Sequence, residues 1–240
     1  MIHPRHTLAE CARVLVGVVF VLSGLLKAVD PVGTALKIGQ YLAPVLDTHG
    51  AKGEVFTLAL SFVLCGAEFL LGAFLLMGIY RKLCARLSFL FMVVMTAVSL
   101  YSVVLHPVSD CGCFGDAIRL TPMETFVKNL ILLPLAFLVL RDARALRHLY
   151  SRRERWVPAI LSVVGIIFFM VENYRHLPYR DFRPYRVGTD LREAIIGEEE
   201  ALQKALLGAT TYVYKKDGAT KSFDAAHLPD SSWTYVEARQ

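Results

Sequence analysis

Two cysteines separated by one glycine carry the most direct chemical implication in this chain: Cys111 and Cys113, in the run Asp110-Cys111-Gly112-Cys113-Phe114-Gly115-Asp116. A Cys-x-Cys pair brings two sulfurs within bridging range but closes a ring too small for relaxed disulfide geometry. Such a bond is easily reduced, and strained, exposed disulfides are the ones that exchange. Gly112 gives the small ring its backbone freedom, and Gly115 lets the chain turn back sharply. Three other readings stay open: two unpaired thiols in a tight turn, a staple of that turn, or half of a soft-metal site. A complete metal site wants four ligands at recognisable spacing, and His106 is the sole nearby addition. No metal is expected.

The loop lies between long apolar runs. A mean hydropathy of +0.47 with 55% hydrophobic residues is far above what a soluble domain needs, and the apolar residues come in runs rather than stripes. The expected fold is an all-α integral membrane protein: a four-helix transmembrane bundle, a fifth transmembrane helix, and a small α+β extracytoplasmic tail. Spans are expected over 8–26, 55–77, 87–105, 125–140 and 157–171. The first three reach the roughly 20 residues a bilayer requires, whereas the last two offer about 15 apolar positions each and must borrow flanking residues or tilt less. Pro134 falls inside the fourth, where neighbouring helices can satisfy the freed carbonyl. The divisions this suggests are 1–145 for the membrane core, 146–172 for a basic loop and the fifth span, and 173–240 for the tail.

Lys and Arg in the short loops set the orientation. Arg81, Lys82 and Arg86 stand between spans two and three, and Arg141, Arg144, Arg147, Arg152, Arg153 and Arg155 between four and five. Both loops are expected in the cytoplasm, which puts the N-terminus inside and the cysteine loop and tail outside. The net charge of +5 is thus a topology signal rather than a nucleic-acid footprint. The first apolar stretch is too long for a cleaved signal peptide and is read as a retained helix.

Within the spans, polar residues mark where chemistry is affordable. Glu68 stands midway along span two, where a carboxylate is costly and defaults to a functional hypothesis; the competing role is interhelical glue, with Thr96 as its partner. Lys27, at the outer end of span one, fits a snorkelling lysine best, with lowering a thiol pKa in the cysteine loop as the second reading. Asp30-Pro31 stops that helix, and 34–42 reads as a short interfacial helix. Cys65, Cys11 and Cys84 are expected to be packing residues.

Past residue 172 the composition changes. The stretch 173–188, rich in Tyr, Arg and Pro, reads as extended and lying along the interface, where it would cover the cysteine loop. An amphipathic helix follows over 189–206, then strands over 211–215 and 219–223 around Asp217-Gly218, and a third strand over 233–237. At about 70 residues the tail is small for an independent core and is expected to rest on the membrane domain.

The run Ser23-Gly24-Leu25-Leu26-Lys27-Ala28-Val29-Asp30-Pro31-Val32-Gly33, the mid-membrane Glu68, and the Asp110–Asp116 element together resemble the DoxX-like superfamily, in particular the branch containing MauE, the methylamine utilisation membrane protein. The likeness covers roughly residues 8–140, and the added fifth span and exported tail mark a bacterial subfamily. The resemblance implies a four-helix membrane core and a role in thiol–disulfide chemistry outside the cytoplasm, where MauE is thought to assist maturation of a disulfide-rich enzyme subunit. Cys111 and Cys113 take the positions of the family's cysteine pair.

The leading expectation is a membrane thiol–disulfide oxidoreductase or relay of the bacterial inner membrane, acting on an exported or envelope protein. Its candidate residues are Cys111, Cys113, Glu68 and Lys27, and a membrane quinone is the candidate acceptor, although no quinone motif is readable. The alternative is a non-enzymatic assembly factor or scaffold whose cysteine pair is structural. A lipid or small-molecule carrier built around Glu68 is the third.

Overall fold

The computed structural model describes residues 4–43, 48, 50–105, 112–118, 120–146, 149–151, 153–176, 190, 211–216, 219–224 and 232–239. The chain divides into two compact units, Met1–Phe182 and Arg183–Gln240.

In the first unit the order is α1 (Pro4–Val29), α2 (Pro31–Leu42), α3 (Ala51–Met77), α4 (Arg81–Leu105), the extended segment β1 (Cys113–Asp116), α5 (Pro122–Arg141) and α6 (Trp156–Arg175). Helices α1, α3, α4, α5 and α6 are each long and apolar enough to cross a membrane. The two short spans reach 20 residues each by recruiting polar ends. At α5, Thr121 and Glu124 form a reciprocal capping box with Pro122 in the first turn, and the helix runs on through Pro134. At α6, Asn173 stays helical and donates to the Phe169 carbonyl, so the extended stretch expected from residue 173 does not begin before His176. Residues 177–189 and most of the helix expected over 189–206 lie outside the described residues.

Asp30-Pro31 both ends α1 and begins α2. The Asp30 carboxylate accepts from the Gly33 amide while Pro31 fills the first helical position, where its missing N–H costs nothing. α2 is therefore more than a surface helix: Pro31, Gly33, Thr34 and Ala35 are buried, and Ser61 of α3 donates to the Pro31 carbonyl at 2.7 Å.

Glycines bring α1 and α3 into near backbone contact. A Cβ on Gly24 would sit 2.5 Å from the Phe69 nitrogen, and one on Gly72 would sit 2.6 Å from the Val21 nitrogen. Without a hydrophobic drive between helices in lipid, such close approach supplies the packing. Gly24→Val is expected to cost about 1–3 kcal/mol or more through overpacking. Gly165→Val on α6, where a Cβ meets open space, should leave thermal stability in detergent unchanged.

The core of the bundle gathers Val16, Phe20, Leu75, Met92, Leu132 and Val139. Leu15, Val18 and Leu22 of α1, Val94 of α4, and Ile160, Leu161 and Phe168 of α6 are exposed, as faces turned to lipid would be. At the end bearing the α3–α4 turn, Arg13 is buried and donates to the Leu75 and Leu76 carbonyls at 2.5 and 3.0 Å. It thereby satisfies the Leu76 carbonyl at the C-terminus of α3 and adds a second donor to the Leu75 carbonyl, which also accepts from the Gly78 amide.

The second unit contains β2 (Thr211–Lys216), β3 (Ala219–Asp224) and β4 (Thr234–Arg239) in the order β3-β2-β4, with both pairings antiparallel. The register pairs Lys216 with Ala219, as a two-residue Asp-Gly turn requires, although Asp217 and Gly218 themselves lie outside the described residues. Tyr214, Phe223, Trp233 and Tyr235 meet edge to face.

Candidate functional site

The site lies where α1, α3 and β1 meet. Helical periodicity places Ser23 and Lys27 of α1 on one face, and Ser61, Cys65, Glu68 and Gly72 of α3 on one face; the close approach of the two helices sets those faces together. The Lys27 ammonium donates to the Glu68 carboxylate at 2.5 Å, with side chains 3% and 6% exposed. This overturns two expectations. Lys27 does not snorkel, because β1 packs over the end of its helix. Glu68 pairs with Lys27 rather than Thr96, whose hydroxyl donates to the Met92 carbonyl at 2.6 Å.

β1 is pinned against the end of α1. Ser23 donates to the Cys113 carbonyl at 2.5 Å, and a Cβ on Gly115 would sit 3.0 Å from the Leu26 carbonyl oxygen. Gly112 and Gly115 adopt φ of +61° and +62°, and the Gly115 amide closes the turn onto the Gly112 carbonyl at 3.0 Å. Both positions therefore need glycine, the second also because a side chain would strike α1. The Lys128 ammonium of α5 lies 4.7 Å from the Phe114 ring centroid and holds the segment from its other side.

Cys113 is therefore buried, at 3% exposure, rather than presented on an open loop. Both it and Cys65 lie within electrostatic reach of the Lys27 ammonium. A cation beside a thiol favours the thiolate, and burial away from water opposes it. Cys65 is fully buried, 3.9 Å from the Ser61 hydroxyl, so a residue expected to be mere filling borders the ion pair. The spacing of Ser61, Cys65 and Glu68 on one helical face was the available signal. Ser23 carried no such signal, since its partner is a backbone carbonyl 90 residues away. Cys84 is buried in the core at the far end and Cys11 is exposed there. Cys111 and His106 lie outside the described residues. No group of three or more His, Cys, Asp or Glu that would hold a metal occurs among the described residues.

A cavity of about 220 Å³ adjoins Cys113, lined by apolar side chains of α3 and α4 with Lys27, Lys37, Thr34 and Tyr41 at its polar edge. Ile166 and Met170 of α6 pack with Cys65 and Ala28, so the fifth span borders the site.

A family model described as Methylamine utilisation protein MauE matches residues 5–142. A second, described as a domain of unknown function (DUF8463), matches residues 208–240. No curated protein and no solved structure matches the chain.

Proposed function

Since this chain belongs to the MauE family, we propose that it is a membrane thiol–disulfide relay of the bacterial inner membrane, in a DoxX-like branch with a fifth span and an exported tail. The observation that carries this reading is Cys113, buried beside the Lys27–Glu68 ion pair at the end of the bundle away from the basic loops. The positive-inside rule puts those loops in the cytoplasm and the cysteine loop and tail outside, where protein disulfides persist.

The exchange follows ordinary thiol–disulfide chemistry. A thiolate of the pair attacks a client disulfide, or a client thiolate attacks the loop disulfide, and the mixed disulfide resolves through the neighbouring sulfur. Each cycle moves two electrons and two protons between the client and a membrane acceptor. A quinone is the candidate acceptor, because it takes up both together and dissolves in the bilayer beside the Cys113 cavity. Lys27 stabilises the thiolate, and Glu68 holds Lys27 in place and takes part in handling the proton.

The test is the redox state of Cys111 and Cys113 in growing cells, read by acid quench and a mass-adding maleimide in a variant with Cys11, Cys65 and Cys84 changed to Ala. A mixed population that shifts within minutes of adding oxidant or reductant is expected. A pair that stays fully oxidised until the protein is denatured would establish the scaffold reading, which the pinned backbone of β1 favours. In that case deletion of the tail, and not of the cysteines, would abolish function.

A further inference from the structure

At the opposite end of the first unit, the α3–α4 turn and the segment after α5 enclose a cavity of about 610 Å³. Arg81, Lys82, Arg144 and Arg155 line it with Tyr80 and Tyr150, and none of the described lining residues is acidic. Several of these groups are held in place. The Arg155 guanidinium lies 4.5 Å from the Tyr80 ring centroid, and Arg81 donates to the Leu146 carbonyl. Tyr80 adopts a φ of +46°, a conformation that costs a bulky residue energy and persists where surrounding contacts enforce it. Lys82 and Arg144 are exposed. The first turn of α4 begins at Arg81 and adds the positive end of a helix dipole.

A second cavity of about 660 Å³ continues from this one between α3 and α4. Tyr80 and Leu83 line both, and the remainder of the second, including Phe74, Leu87, Leu90 and Phe91, is apolar. The two together form an amphipathic slot, cationic at the membrane interface and apolar along the span. A soluble phosphate would leave the apolar part unused. A zwitterionic lipid would bring a second cation among four.

We propose that this slot binds an anionic phospholipid, with its phosphate among Lys82, Arg144 and Arg155 and an acyl chain between α3 and α4. Basic pockets at a helix end facing the anionic leaflet recognise such headgroups. The site is separate from the cysteines and stands whether or not the redox reading does.

The test is native mass spectrometry of the purified full-length protein, titrated with phosphatidylglycerol, phosphatidylcholine or glycerol 3-phosphate. Phosphatidylglycerol is expected to be retained at least about tenfold over phosphatidylcholine, as two or more cations near the surface would give. Each cation removed should weaken retention about fivefold, so Lys82→Gln with Arg144→Gln should nearly abolish the preference. Leu87→Trp, which narrows the apolar slot, should weaken it as well. Arg86→Gln with Arg153→Gln, two exposed cations outside the cavity lining, should change nothing. Equal retention of the two lipids would overturn the proposal. So would an equal loss in the control pair, which would mean a diffuse basic surface, or full competition by glycerol 3-phosphate, which would mean an anion site without a chain.

Discussion

Cys113→Ser is expected to accumulate a covalent adduct with a client protein, and Cys111→Ser to accumulate none, a difference of at least about tenfold on non-reducing gels after acid quench. The asymmetry follows from burial. Cys113 is 3% exposed behind Ser23, Gly115 and the end of α1, so its sulfur cannot meet a folded client. Attack on a disulfide requires approach along the sulfur–sulfur axis, which leaves Cys111 to form the mixed disulfide. Cys113 needs to reach only its neighbour two residues away to resolve it. With serine at position 113, the adduct forms and does not clear. Adducts trapped through Cys113 in the Cys111→Ser variant would reverse the two roles and require β1 to swing away from α1. No adducts in either variant would sink the relay.

The spans were legible because an apolar run long enough to cross a bilayer is rarely tolerated in a chain that folds in water, and the hairpin because alternation around Asp-Gly leaves one register. Helix ends were less legible. α4 begins at Arg81 rather than residue 87, and α6 continues to Arg175, since charged and amide side chains at an interface extend a helix without extending its apolar run. The sequence singled out the cysteine motif, the mid-span glutamate and the lysine one residue at a time. Their relation was not legible. Lys27 and Glu68 stand 41 residues apart, and sequence position alone put the lysine at a helix end facing water. What inverts that reading is the loop from residue 112, which folds back over the end of α1 and seals it. The docking of α6 on Cys65 was equally hidden, because a helix apolar on every side does not announce which face packs.

Removing one partner of the ion pair is expected to be far worse than removing both. Lys27→Met strands a carboxylate, and Glu68→Leu strands an ammonium, at positions where each side chain is at most 6% exposed. Either change should lower stability by about 3–5 kcal/mol, because the surviving charge keeps its desolvation cost without its partner. The double variant replaces both charges with apolar groups of similar size and should recover most of that loss, read as thermal midpoints in one detergent. Stability and chemistry then separate in the double variant. If the ammonium serves the thiols, the folded double variant should still lose redox turnover of the cysteine pair by about tenfold or more, since the buried cation beside them is gone. Turnover at the native rate would reduce Lys27 and Glu68 to a device that joins α1 to α3. The double variant is therefore the decisive protein, for it keeps the fold and removes the charge whose presence beside two buried thiols a purely structural role does not require.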